Sequence, residues 1–309
     1  MLGMDSKLKA MLGDGVKAHL GPRVGIELEY EGAPYEIFAK KMRDWSIVQD
    51  HSLRGGGMEF VSRVLRPVEV RRALELAEKV IVDNGLFSNK RCGVHVHINC
   101  TDLTMSEVWS YITLYSLLEP HIFKEFADGR EENHFCVPVM YNTHFVDCMK
   151  SSACTLHAGI VSLTKERRAT HDLNTMFAEL STGKVTRAPD LDIYRSSKYS
   201  ALNTQALKTF GTLEFRHKGG TTNIDEIERW VNFLIKLRKE AKTYSSSTEI
   251  IKDYEEQGVE CFLEFFGLER GNMTDEEEYD IVDNAYMMAG RKPTDWTTMD
   301  WKKLSIGEV

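Results

Sequence analysis

The sequence has no long hydrophobic run. No apolar stretch approaches the ~18 residues a membrane span needs, so no transmembrane segment is expected. The opening MLGMDSKLKAMLGDG has no apolar h-region, so no cleaved leader is expected either. Cysteine is sparse: six in 309 residues, with no CxxC pair and no regular spacing. That excludes a disulfide scaffold and a zinc ribbon, and predicts free thiols in a reducing cytoplasm. A basic excess is missing as well. The net charge is −8, and residues 251–309 alone hold 15 Asp and Glu against 6 Lys and Arg. The remainder is balanced, which argues against a dedicated nucleic-acid binder but not against anionic small molecules held by local cations. HExxH and GxSxG are absent. STGKVT (181–186) ends like a phosphate-binding loop, but it lacks the first glycine at the required spacing and a Ser or Thr after Lys184. There is no solenoid repeat and no low-complexity linker.

With 42% hydrophobic residues the chain can build a sizeable core. RVGIELEYE (23–31) alternates as a strand, with Ile26, Leu28 and Tyr30 on one face and Glu27, Glu29 and Glu31 on the other. Residues 45–65 predict two strands about Gly55-Gly56-Gly57. Pro67 opens an amphipathic helix with Val70, Leu74, Ala77 and Ile81 inward, ended by Gly85. RCGVHVHINC (91–100) is a strand that puts His95 and His97 on one face. Thr104 and Glu107 form a capping box for a second helix, expected to kink or break near Pro120. From about 129 to 200 the periodicity is poor, which suits substrate loops. Residues 199–207 and 210–220 predict a strand pair, with Glu214 and Arg216 sharing a face. Asn223 caps a further helix carrying Ile227, Trp230, Val231, Leu234 and Leu237, and residues 245–309 predict helices and acidic loops.

Several strands thus carry acids, imidazoles or a guanidinium on the face away from the core: Glu27/Glu29, His95/His97 and Glu214/Arg216. Asp50 and Glu59 lie on the hairpin between. An antiparallel sheet can be wet on one face, and Lys, Thr and Gln are the usual occupants. These acids and two histidines without a lysine suit divalent cations better, since carboxylate oxygens suit Mg²⁺ or Mn²⁺ and imidazole tolerates Mn²⁺. Each pair alone is weak evidence. ELE is common on exposed strands, and HVH also fits two hydrogen-bonded histidines in a half-buried sheet.

The ordered set is more specific. GIELEYEG, W-x-I-V-x-D-H-S-L, G-M-E-F-V-S, CGVHVHIN, GREENHFC, YSALN and GTLEFRHKGGT, over residues 23–240, resemble the amidoligase family. These are carboxylate–amine ligases of the glutamine synthetase-like superfamily, frequent in phages and bacterial gene neighbourhoods. The resemblance implies an α+β fold in which a curved antiparallel sheet has helices on its convex face and ATP and metal on the concave one. The implied catalytic domain spans 1–245, with an acidic, mainly helical extension over 246–309. Implied metal ligands are Glu27, Glu29, Glu59, His95 and Glu214, with Asp50 binding directly or through water. His97 is implied nearer the nucleotide, and Arg216 faces the transferred phosphoryl group. Arg130, Asn133 and Asn203 fall in family blocks and are assigned nucleotide or substrate contact. Arg216, Glu59 and Asp50 make the implied catalytic set. His51, following Asp50, stands where a smaller polar residue is frequent.

The implied reaction is ATP- and Mg²⁺- or Mn²⁺-dependent amide formation through an acyl phosphate, with two ions. The substrates would be a small-molecule or peptide carboxylate and amine. Two alternatives stand beside it: a metal-dependent hydrolase, which needs no nucleotide, and an inactive structural or interaction protein such as a phage particle component. The expected location is the cytoplasm, that of the host for a phage protein. A homo-oligomer or a phage partner is left open.

Overall fold

The computed structural model describes residues 7–12, 15–39, 42–130, 133, 136–139, 146, 149 and 200–289. The chain opens with a short helix, α1 (Leu8–Leu12), before strand β1 (Val24–Tyr30). Ile26, Leu28 and Tyr30 are buried to within 1% of full exclusion, as the alternation predicts. The expected hairpin forms as β2 (Trp45–Gln49) and β3 (Met58–Ser62). Pro67 starts a single 3₁₀ turn that runs into α2 (Val70–Asp83). The four predicted inward residues of α2 are buried, and Gly85 follows it with φ of 62°. The histidine strand is β4 (Val94–Asn99).

The next helix, α3 (Met105–Phe126), starts on the predicted capping box. Thr104 Oγ1 accepts from Glu107 N–H at 3.1 Å, and Glu107 Oε2 accepts from Thr104 N–H at 2.7 Å. The helix is not broken at Pro120. Its apolar surface runs all the way round and is buried almost throughout, so packing keeps the last turns helical despite the missing N–H.

One expectation is corrected. Within residues 200–207 only Leu202–Asn203 (β5) form a strand, which pairs with the following strand as expected, and a helix, α4 (Gln205–Phe210), follows. Asn203 Oδ1 accepts from Gln205 N–H at 2.9 Å, a local turn that ends the strand after two residues. Gly211, at φ of 69°, then closes α4, and β6 (Thr212–Phe215) begins. Asn223 caps α5 (Ile224–Ala241) through its side-chain oxygen, which accepts from Asp225 N–H at 3.0 Å. Three helices follow: α6 (Ser247–Gln257), α7 (Val259–Phe266) and α8 (Asp275–Met288).

The six described strands form one antiparallel sheet in the order β2-β3-β1-β4-β6-β5. Helices cover one face. Tyr111 and Tyr115 of α3 and Trp230 of α5 pack on Phe215, with ring centroids 5.6, 5.6 and 6.4 Å apart. α6 and α8 pack on α3 from outside, and their buried residues join the same core as the sheet. The molecule is thus α+β, with the helices on one side and the polar strand positions on the other. No described helix is long and apolar enough to cross a membrane. Of the cysteines, Cys92, Cys100, Cys136 and Cys261 are free thiols. STGKVT and most of the 129–200 stretch lie outside the described residues.

Candidate functional site

Strand register assembles the site. Within β1, Glu29 stands opposite Glu59 of β3 and Glu27 opposite His95 of β4. One strand further, His97 stands opposite Glu214 of β6. A period of two puts all six side chains on the uncovered face, in one row across four neighbouring strands. Arg216, just past β6, extends the row.

The contacts are close. His95 Nδ1 lies 3.4 Å from Glu27 Oε2 and 3.9 Å from Glu214 Oε1, while its Nε2 lies 3.7 Å from Glu29 Oε1. His97 Nε2 lies 3.4 Å from Glu27 Oε1 and 3.9 Å from Glu214 Oε2. The row is held from behind. Gly93 N–H donates to Glu29 Oε2 at 2.6 Å, Asn203 Nδ2 donates to Glu214 Oε2 at 2.6 Å, and Arg216 pairs with Glu214 Oε1. His97 Nδ1 is 3.0 Å from Thr212 Oγ1, which fixes that ring.

Among the described residues two sets of donors converge, the ligand atoms within each lying within 4.8 Å of one another: Glu27, Glu59 and His95, and Glu27, His97 and Glu214. Glu27 belongs to both. Carboxylates with an imidazole suit Mg²⁺ or Mn²⁺, so the residues present fit the implied ions.

The protonation pattern follows from the crowding. Burial alone would raise the Glu27 carboxyl, but the His95 and His97 rings outweigh it and hold it below the ordinary carboxylate range. Glu59 has no such partner. Burial first, then the charges of Glu27, Glu29 and Asp50, push it up to about 8. His97 is lowered by burial but raised more by Glu27 and Glu214, and ends above its usual value. Burial also raises Glu214, yet Arg216 and the two histidines bring it below the usual range.

A cavity opens on each side of the row. The first, about 460 Å³, is polar and is lined by Glu29, Asp50, Glu59, His95, Arg130 and Arg216 among others. The second, about 380 Å³, is walled by Val16, Val61, Val64 and Phe210 and rimmed by Lys17 and Arg23, with His97 at its inner edge. His97 meets the Phe210 ring edge-on at 5.7 Å. Phe210 comes from α4, the helix that replaced the expected strand.

The structure therefore brings together Glu27, Glu29, Asp50, Glu59, His95, His97, Glu214, Arg216, Arg130 and Asn133 around the row and its polar cavity. Asn203 is set differently: it supports Glu214 and lines neither described cavity. His51 is exposed and lines neither as well. Sequence reasoning missed Lys90 and Arg91 on the polar wall and the strap of residues 15–23 on the apolar one. Lys90 and Arg91 directly precede CGVHVHIN, so a look at the strand's flank finds them.

The sequence model described as "Putative amidoligase enzyme" matches residues 14–238. No curated protein matches the chain.

Proposed function

The chain belongs to the amidoligase family, a ligase-type family, and from that premise we propose that it joins a carboxylate to an amine at the expense of ATP. The observation that carries this is the single row of Glu27, Glu29, Glu59, His95, His97 and Glu214 between an apolar and a polar cavity. Glu27, Glu29, Asp50, Glu59 and Glu214 bring five carboxyl groups together with two imidazoles, a donor set that favours bound divalent ions. Glu27, Glu59 and His95 would hold one ion, and Glu27, His97 and Glu214 a second. Bound there, they supply charge neutralisation for the transferring phosphoryl group.

The nucleoside base occupies the apolar cavity, between Phe210 and the valine walls, with Lys17 and Arg23 at its rim. The phosphates then reach the row from the His97 side, in keeping with a nucleotide-side role for that residue. The carboxylate enters the polar cavity opposite. Its oxygen attacks the γ-phosphorus, the bond to the β-phosphate oxygen breaks, and ADP leaves. The amine nitrogen then attacks the acyl carbon, the carbon–oxygen bond to phosphate breaks, and phosphate departs. Arg216, oriented by Glu214, offsets the charge that develops on the phosphoryl oxygens. Asp50, which also lines the polar cavity, takes the amine proton.

The test is ADP release with Mn²⁺ and ATP, screened against pools of amino acids and amines. ADP and phosphate should form only when both substrate classes are present. Changing His95→Ala should lower turnover by at least ~100-fold, since the residue is an implied ligand, whereas His97→Ala should mainly raise KM for ATP. Formation of AMP and pyrophosphate instead of ADP overturns the acyl-phosphate route. Equal, mild effects of both changes overturn the assigned roles.

A further inference from the structure

On the covered face of the sheet, away from the row of donors, three polar side chains form one connected set. Tyr115 and Glu119 lie one turn apart on α3, and His217 lies two residues past β6. All three are buried. Tyr115 Oη donates to Glu119 Oε1 at 2.5 Å and lies 2.6 Å from His217 Nε2. The hydroxyl has one proton and gives it to the carboxylate, so the imidazole Nε2–H donates to the hydroxyl oxygen. Burial, with the Arg130 charge added, pushes the imidazole down to about 3, so the ring is neutral at pH 7. Tyr115, Phe123 and Trp230 box it in, with ring centroids 5.4, 4.9 and 5.3 Å away.

Packing alone does not call for these groups. Apolar side chains of similar volume would hold α3 on the sheet as well. A buried polar network adds one defined geometry, because any member left unpaired is costly. Its two ends show what is defined. At one end, His217 directly follows Arg216, so the chain that places the imidazole under the sheet places the guanidinium on the open face. At the other end, Glu119 Oε1 also accepts from Val139 N–H at 2.8 Å. Val139 continues the wall of the polar cavity that carries Arg130 and Asn133. Asn133 N–H donates to Arg130 O and Cys136 N–H to Asn133 O, both at 2.9 Å. Main-chain bonds close the circuit: Val137 O accepts from Ala201 N–H and Ala201 O accepts from Arg216 N–H, each at 2.8 Å. Arg216 and the polar wall are thus joined twice, once through main chain and once through the three buried side chains.

We infer that Tyr115, Glu119 and His217 are positioning residues, which fix the Arg216 guanidinium relative to the wall that carries Arg130 and Asn133. This rests on the ligase reading of the same site. None of the three lines either described cavity. Their effect is on geometry: a small misplacement of a group that acts in the transition state lowers turnover while ground-state binding is kept.

The test is Tyr115→Phe, which keeps the ring and removes both hydrogen bonds. Amide hydrogen exchange, resolved by NMR, should speed up about tenfold or more at Val139 and Arg216 and stay within about twofold in the β1–β4 ladder. In the ADP-release assay, at a temperature where the variant is folded, kcat should fall at least ~10-fold with KM for ATP unchanged. His217→Gln, whose amide N–H replaces the Nε2 donor, should stay within about threefold of wild type on both readouts. Unchanged exchange at Val139, or a speed-up spread evenly over the sheet, overturns the inference. Should Tyr115→Phe not fold by circular dichroism, His217→Leu decides through exchange at Arg216 and through kcat. The two readings separate cleanly. Local loosening at Val139 and Arg216, with no ADP formed by the wild type from any acid and amine, overturns the ligase reading alone. Wild-type ADP formation that a folded Tyr115→Phe leaves intact overturns the positioning role alone.

Discussion

At the residue scale the informative side chain is Glu59. A carboxyl raised from its ordinary 4.5 to about 8 keeps its proton in the folded chain across that window and loses it in the unfolded one. The folded state then binds the extra proton, so this contribution to stability is present at the low-pH end and is lost as pH rises from about 4.5 through 8. The metal-free protein should therefore lose thermal stability between pH 5 and pH 8, and Glu59→Gln should flatten that slope. A divalent ion needs the charged carboxylate, so added Mn²⁺ should recover most of the loss at pH 8 and release protons at pH 7. Thermal melts across pH, with and without Mn²⁺, check this. A slope unchanged in Glu59→Gln contradicts it. The identity of such residues was legible in the sequence, because a strand's period of two declares which side chains share a face. Their mutual crowding was not. It arises from the pairing of Glu29 with Glu59 and of Glu27 with His95, and register is a long-range property.

At the element scale the short helix Gln205–Phe210 matters most for the site, because it supplies Phe210 to the apolar cavity. YSALNTQAL has a strand's look, and nothing local announces that Asn203 will turn the chain after two paired residues. The glycine after Phe210 was the available signal. Gly211 sits at φ of 69°, and a Cβ there would fall 2.3 Å from Thr101 Cγ2 and 3.1 Å from Val16 Cγ1. Val16 belongs to the strap that walls the same cavity, and Thr101 holds that strap by accepting from His19 N–H at 2.9 Å. Gly211→Ala should cost about 1–3 kcal/mol of stability, from the left-handed conformation and the clash together. Nucleotide affinity should weaken with it. Urea denaturation and ATP titration read the two effects, and a stability change under about 0.5 kcal/mol contradicts the assignment. The long helices were legible for the opposite reason: their caps and apolar stripes are local. Of the kink or break expected at Pro120, the break does not occur, because burial of α3 on all sides overrides the proline's tendency to end a helix.

At the scale of the whole molecule, one antiparallel sheet divides the labour. Its covered face, packed on α3 and α5, gives the rigidity that holds six donors in register. Its open face carries the row of carboxylates and imidazoles, with an apolar cavity on one flank of the row and a polar one on the other. Seven ordered blocks made the family and the α+β sheet legible in the sequence, but the two cavities were not legible there, since each is walled by segments far apart in the chain. The joint between them is Glu27, the carboxylate common to both donor sets. Titration of the metal-free protein with Mn²⁺, read by electron paramagnetic resonance in the presence of ATP, tests that plan most directly. The account predicts two ions per chain and a loss of at least ~100-fold in affinity at both sites in Glu27→Gln. A single ion, or a variant that keeps one site at full affinity, contradicts it.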